Sequence, residues 1–558
     1  MKNVVFFLLL FCIYGAQAQW SNNPNTNNPV CTTAGVQDHP RIIRDGTGGA
    51  FITWKDERSS SNYDIYVQRI DSGGNVRWTA NGIAVCTATG IQNYPQLASD
   101  GKGGVIITWM DYRDIFIDIY AQRIDSSGNV QWVSNGVAVC LATFNQGYPQ
   151  ITGDGKGGAI ITWDDFRSGN NHDIYAQRID SSGNILWENN GVAICNEAGT
   201  QRDPQITADS SHGAIITWWD SRNINIDIYA QRIDLSGAVQ WDSNGVAICI
   251  SPNNQYFPQI TSEDSGGAII AWYDLRSGND QDVYAQLIDS TGGIHWADNG
   301  TAVCTETGDQ NNPQIKNSSP GKAIIAWQDS RSGSNSDIYA QLLSSGGSSL
   351  WTNNGVAVCT EPGNQNNPQV IASGESGEAI IAWEDFRSGT NSDLYAQRIS
   401  SSGEVQWTNN GVTVSIATGS QRYPQITGDG SAGGIITWQD TRNGIYDIYA
   451  QLVNSDGQLG IFTNIEDRAK ALGFALLQNY PNPFTQNTNL SWKTLAYGQV
   501  VLKVYDFMGK EIRTLVNENQ SSGQHQVPFN TESLPVGMYF CQLSVNGIIE
   551  TKKMVLCR

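Results

Sequence analysis

The stretch "ITWDDFRSGNNHDIYAQRIDSSGNILW", from Ile161 to Trp187, decides the fold because the chain repeats it. From Ile107 it reads "ITWMDYRDIFIDIYAQRIDSSGNVQW", and from Ile216 "ITWWDSRNINIDIYAQRIDLSGAVQW". The W-x-D-x-R core occurs eight times, from Trp54, Asp56 and Arg58 through Trp163, Asp165 and Arg167 to Trp438, Asp440 and Arg442. Each copy is preceded by Gln-x-x-Pro and followed by Asp, an aliphatic residue and Tyr. Within a unit, "PQIT" is a short apolar strand and "GDGKGG" a glycine turn. "AIITW" is a β-branched run apolar on both faces, "DIYAQRID" a third strand, "SSGN" a turn and "ILW" a fourth strand. Four short antiparallel strands in a unit of about 55 residues predict a propeller blade, whose two faces both pack on neighbours. A solenoid, which normally has a shorter unit, is the second choice.

The fold expected is therefore all-β: an eight-bladed β-propeller over residues 19–462, a linker at 463–473 and a small immunoglobulin-like β-sandwich over 474–558. Seven units carry a tryptophan after the "SSGN" turn, the last at Trp407, whereas the eighth puts Ile461 there. Trp20, upstream of the first unit, is the candidate to supply the missing fourth strand and close the ring beside the third strand of the last blade.

Residues 1–18, "MKNVVFFLLLFCIYGAQA", have the charged start, apolar run and small-residue cleavage box of a signal peptide. No later segment has the roughly 20 apolar residues that span a bilayer as a helix. The formal charge of −20 argues against nucleic acid as a partner. Seven of the ten cysteines, from Cys31 to Cys359, end "GVAVC"-like segments at one repeat position. Equivalent positions in successive blades lie too far apart for disulfides, which need Cα atoms about 4.4–6.8 Å apart, so these cysteines are expected to be buried and reduced.

A residue present in every blade is eightfold redundant for catalysis, so the repeated Trp, Asp and Arg are expected to be scaffold, with the arginine bridging to the aspartate before Ile-Tyr. No metal-ligand spacing, nucleophile elbow or phosphate loop occurs, and no metal or cofactor is expected. Specific chemistry then falls to positions where the repeats differ. One such set stands just before each blade's proline and includes Tyr94, Tyr148, Asp203, Phe257 and Tyr423. Aromatics and polar groups around a funnel suit a glycan or protein ligand. The role expected is extracellular binding, with two alternatives: a polysaccharide-acting hydrolase or lyase using the funnel, or a structural surface protein.

The segment "AQRIDSSGNVQW" resembles the tryptophan-docking motif of quinoprotein-like propellers in its Gly128-to-Trp132 spacing, but its Asp-to-Gly spacing is shorter, so quinone binding does not carry over. The last 85 residues resemble the type A C-terminal sorting domain of the type IX secretion system of Bacteroidota. The matching features are "NYPNPF" with Tyr480, Pro481, Asn482, Pro483 and Phe484, then Gly509, Gly537 and Tyr539 in "LPVGMYF", and Lys552 and Lys553 near the end. The resemblance implies the type IX machinery as partner, passage through the periplasm, and a destination outside the cell or on its outer surface.

Overall fold

The computed structural model describes residues 20–59, 62–374, 377–460, 474–494, 497–531, 534–545 and 548–557. The signal-peptide reading of 1–18, Ile461 and the linker 463–473 lie outside the described residues. Two compact units divide the chain, Met1–Gly460 and Ile461–Arg558. The described residues form no helix, and all strand pairs are antiparallel.

The first unit is an eight-bladed propeller of four-stranded sheets. Blade 3 runs from the channel outward as Gln146–Gly153, Ala159–Asp165, Asp173–Ile179 and Val192–Cys195. Inner strands touch one another all the way round, including the first, Gln37–Arg44, with the last, Gln421–Gly428. Closure comes from the N-terminus: Asn28–Cys31 pairs with Asp447–Val453 as the outer strand of blade 8. That mixed sheet leaves the ring no open end.

The fourth strand is not the "ILW" segment expected from the sequence. It is the "VAIC" segment, Val192–Cys195 in blade 3, while Ile179 and Ile185 make only an isolated bridge. Trp187 explains the difference. Its indole packs against Gly237 of the next blade and donates to the Leu235 carbonyl at 3.2 Å. Gly237 has φ +89°, and a Cβ there would meet the ring at 2.8 Å. A segment whose last side chain is committed to the neighbouring blade cannot also complete its own sheet. The contact recurs around the ring, ending with Trp407 on Gly457 and Trp20 on Gly74.

The arginines also differ from expectation. Arg167 pairs with Asp165 of its own motif rather than with Asp173, through Nη2 at 2.6 Å and Nε at 2.9 Å. Asp165 is fully buried and also accepts the Trp163 indole N–H at 2.7 Å and the Arg167 backbone N–H at 2.8 Å. A two-residue spacing at the strand end lets the carboxylate cap the turn that carries the arginine, which a partner across the hairpin cannot match. The guanidinium lies 3.5 Å above the Tyr175 ring and donates to the Asn190 carbonyl at 2.7 Å. It also reaches Cys140, in the outer strand of the preceding blade, at 3.5 Å. Trp54, Asp56 and Arg58 repeat this arrangement. In blade 8, Trp438, Asp440 and Arg442 do so with Ser415 in the cysteine's place. The motif therefore fastens each blade internally and to its neighbour.

The second unit packs two sheets of three and four strands around Phe474, Phe484, Trp492, Leu502 and Leu543.

Candidate functional site

Each inner strand carries a bulge at its Gln-x-x-Pro segment, as between Gly147 and Gln150, where the register with the second strand shifts. The residue before the proline takes a left-handed conformation in every blade, with φ from 50° to 54° at His39, Tyr94, Tyr148, Asp203, Phe257, Asn312, Asn367 and Tyr423. Such a conformation costs about 1–2 kcal/mol for an L-residue other than glycine, so the fold holds eight side chains in an unusual pose. The backbone geometry is repeated and the chemistry is not.

Since the inner strands surround the channel, these residues ring its mouth. The five sequence candidates Tyr94, Tyr148, Asp203, Phe257 and Tyr423 all stand in this ring. His39 completes it in blade 1 and was missed, although "QDHP" at 37–40 fits the same Gln-x-x-Pro pattern. His39 stacks on Tyr423 with centroids 5.9 Å apart and meets Tyr94 at 6.0 Å, while Tyr94 meets Tyr148 at 5.2 Å. Blades 8, 1, 2 and 3 thus present one unbroken arc of rings.

Across the channel, blade 5 adds Phe257, whose ring meets that of Tyr273 at 5.6 Å, while blades 6 and 7 are polar. Asn312 donates to the Gln328 side chain at 2.7 Å, and Asn367 to Glu384 at 2.9 Å. The Tyr423 backbone N–H donates to Glu384 at 2.6 Å, and that of His39 to Gln439 at 3.0 Å. Gln328, Glu384 and Gln439 occupy the x of W-x-D-x-R, a second variable set that sequence reasoning passed over. Its signal was present: a single changing residue inside an otherwise uniform strand.

Between the two arcs lies a charged group. Arg202 donates to Asp164 at 2.9 Å, and its guanidinium is 5.5 Å from the Tyr148 ring centre. Burial pushes the Asp164 carboxyl up to about 7 despite the opposing pull of Arg202. One Asp164 oxygen has no hydrogen-bond partner and lies against Gly147. His172 approaches the other oxygen at 3.6 Å, and burial, then Arg202, lowers its pKa. Asp203 accepts the Trp219 indole N–H at 2.7 Å. No group of three or more histidines, cysteines or carboxylates able to hold a metal occurs among the described residues.

In the second unit the "NYPNPF" segment splits in two. Tyr480 is largely exposed, whereas Phe484 is buried and exchanges backbone hydrogen bonds with Val555 and Cys557 of the terminal segment. Asn479 fixes the bend by donating to the Pro481 carbonyl at 3.0 Å and to Thr488 at 2.9 Å. Gly509 supplies a φ of 81° in the Asp506–Lys510 turn. The Tyr539 hydroxyl donates to the Pro535 carbonyl at 2.8 Å, Lys552 pairs with Glu550 at 3.3 Å, and Gly537 and Lys553 lie in the last two strands.

Residues 478–557 match the family described as "Secretion system C-terminal sorting domain". The C-terminal unit is a sorting domain of that kind. It marks the chain for type IX export to the outer surface or beyond, and its partner is the secretion machinery. No helix among the described residues is long and apolar enough to cross a membrane.

No curated protein matches the chain. Solved structures match at low similarity. A Penicillium chrysogenum α-L-arabinanase complexed with arabinobiose is 13% identical, with TM-score 0.34, over 78% of this chain and 99% of its own. An endo-arabinase from Bacteroides thetaiotaomicron is 14% identical, with TM-score 0.27, over 51% and 99%. A Hadza microbial sialidase is 12% identical, with TM-score 0.33, over 70% and 73%. None of these likenesses assigns a substrate here.

Proposed function

We propose that the propeller is an extracellular glycan-binding protein whose ligand sits across the channel mouth. The arc Tyr423–His39–Tyr94–Tyr148 carries this reading. Its rings offer flat apolar faces for the C–H faces of sugar rings, and Asn312 and Asn367 opposite offer amides for hydroxyl groups. Tyr148 is 37% exposed, Tyr423 44% and Phe257 49%, so their faces are open to a ligand. Glycan-array screening of the full chain, followed by Tyr148→Ala and Tyr423→Ala, tests it. Each substitution is expected to weaken binding about tenfold, or about 1.4 kcal/mol, with folding unchanged. Retained affinity in both variants, or no glycan bound at all, overturns the reading.

The group Asp164, Arg202, Asp203 and His172 favours a second reading, hydrolysis of a polysaccharide. It is asymmetric, as catalysis requires, and a carboxyl raised to about 7 is poised to donate a proton near neutrality. Release of reducing ends from a panel of polysaccharides, abolished in Asp164→Asn and Asp203→Asn, is the outcome this reading requires.

A further inference from the structure

Charge is distributed unevenly in this molecule. The whole chain has 33 Lys and Arg against 53 Asp and Glu. The eight inner strands reverse that balance, with five cations, Arg41, Arg44, Arg202, Lys316 and Arg422, against two carboxylates, Asp38 and Asp203. Both carboxylates belong to the mouth. Below the bulges, the inner strands carry only cations.

Among the described residues only Arg202 of the five forms an ion pair, with Asp164, and two of the other four, Arg41 and Lys316, stand below the bulges where the strands of the repeat carry neutral residues. Among the described residues Arg41 donates only to neutral groups, the Gln96 side chain at 3.3 Å and the Pro40 carbonyl at 3.3 Å. Its contact with Gln96 runs from the inner strand of blade 1 to that of blade 2, which lays the guanidinium along the channel wall. Lys316 forms no hydrogen bond or ion pair among the described residues. It is exposed on the inner strand of blade 6, Gln310–Ser319. Its equivalents Ile43, Ala98 and Thr152 line a cavity of about 570 Å³ together with Asp100, Lys102 and Lys156. Desolvation by the surrounding protein lowers the pKa of both side chains. Neither residue follows the repeat. Glutamine stands at the Arg41 position in all seven other blades, and threonine at the Lys316 position in four. Packing is thus satisfied without charge at either place.

We infer that the channel takes the carboxylates of an acidic polysaccharide, a chain of uronic acid residues, with Arg41 and Lys316 as its charged contacts. The inference rests on the reading of the mouth as a glycan site and specifies the class of glycan. A cation in a narrow, low-dielectric passage attracts an anion more strongly than the same cation on an open surface. The acidic exterior opposes polyanions, so binding is confined to the channel. A sugar stacked on Tyr94 or Tyr148 at the mouth has its neighbours in the chain within reach of the passage below.

Titration calorimetry of the full chain with a hexagalacturonate, a neutral arabinohexaose and inorganic phosphate tests this. The hexagalacturonate is expected to bind best, and to weaken several-fold between about 50 and 300 mM salt. Arg41→Gln combined with Lys316→Thr, each taken from the protein's own repeat, is expected to lower uronate affinity about tenfold or more. The same pair should leave the thermal midpoint and any neutral-glycan binding unchanged. Lys510→Gln, in the sorting domain, should change nothing. Equal affinity for the neutral hexasaccharide, phosphate binding as well as the uronate, an equal loss in Lys510→Gln, or full uronate affinity in the double variant would each overturn the inference. If glycans bind and are lost in Tyr148→Ala but ignore the double variant, the mouth reading stands and this one falls. If no glycan binds, both fall.

Discussion

Trp20 lies against Gly74, its backbone N–H on the Gly73 carbonyl at 3.1 Å and its indole N–H on the Ser72 carbonyl at 2.9 Å. Gly74 has φ +86°, and a Cβ there would come within 2.8 Å of the Trp20 nitrogen. The first tryptophan of the sequence thus docks on blade 1, while Asn28–Cys31 completes blade 8. The segment joins both sides of the closure.

Trp20→Ala is expected to destabilise the propeller by about 3–5 kcal/mol, the usual cost of truncating a buried tryptophan. Denaturant unfolding should show a lower midpoint, and limited proteolysis should begin near residues 20–31. A midpoint within error of the parent would mean that closure does not depend on this contact.

Asp165→Ala leaves the Arg167 guanidinium and the Trp163 indole N–H without their main acceptor in a buried place. The expected cost is about 3–5 kcal/mol, with Asp165→Asn milder because it keeps an acceptor oxygen. Chemical denaturation measures it. If Asp165→Ala keeps its stability and loses ligand binding instead, the motif belongs to the site and not to the scaffold.

The seven repeat cysteines, Cys31 to Cys359, are free and buried. Burial pushes the Cys140 thiol up to about 12 and the Cys249 thiol to about 11, far from the thiolate that oxidants and alkylating agents attack. Mass spectrometry after alkylation without reductant should find none labelled in the native protein and all seven labelled once it is denatured. Exported proteins usually oxidise their cysteines, so a defined pair between blades would be informative: it would contradict the observed spacing of the units.

Acidification is expected to stabilise the propeller over an unusual window. Burial raises Asp64, Asp173, Asp282, Asp337 and Asp393 to about 6, and Asp118 to about 7, from an ordinary 3.8. The folded state therefore holds these protons more tightly than the unfolded chain does. Their contribution is fully present below about pH 4 and is lost as pH rises through 6 to 7. Asp45 and Asp289 are shifted the other way and act only below pH 4. Thermal midpoints should fall from pH 5 to pH 8, and Asp118→Asn should flatten the slope. A midpoint that rises over that range would contradict the burial of these carboxyls.

Much of this was legible in the sequence for one reason: eight imperfect copies act as their own comparison. Shared residues such as Trp163, Asp165 and Arg167 had to serve something every blade needs, and differing residues such as Tyr148 and Asp203 were free to serve something local. The same logic was applied too narrowly to the x of W-x-D-x-R. Asp164, Gln328 and Glu384 lay hidden in a strand read as uniformly apolar. The partner of Arg167 was misjudged because Asp165 and Asp173 both stand within reach of it along the chain. Only the turn geometry at the strand end selects between them.

The sequence by itself determined the blade count, the β character, the need for an N-terminal closing segment and the sorting tail. Each is written in local pattern: strand periodicity, glycine turns, or a motif in fixed order. The tertiary structure alone decided that "VAIC" and not "ILW" forms the outer strand, since the tryptophan's destination is another blade. It alone gathered His39, Tyr94, Tyr148 and Tyr423 into one arc, and Arg41 and Lys316 into one channel. Those residues are separated by tens to hundreds of positions, and no local pattern records which side chains of different blades meet.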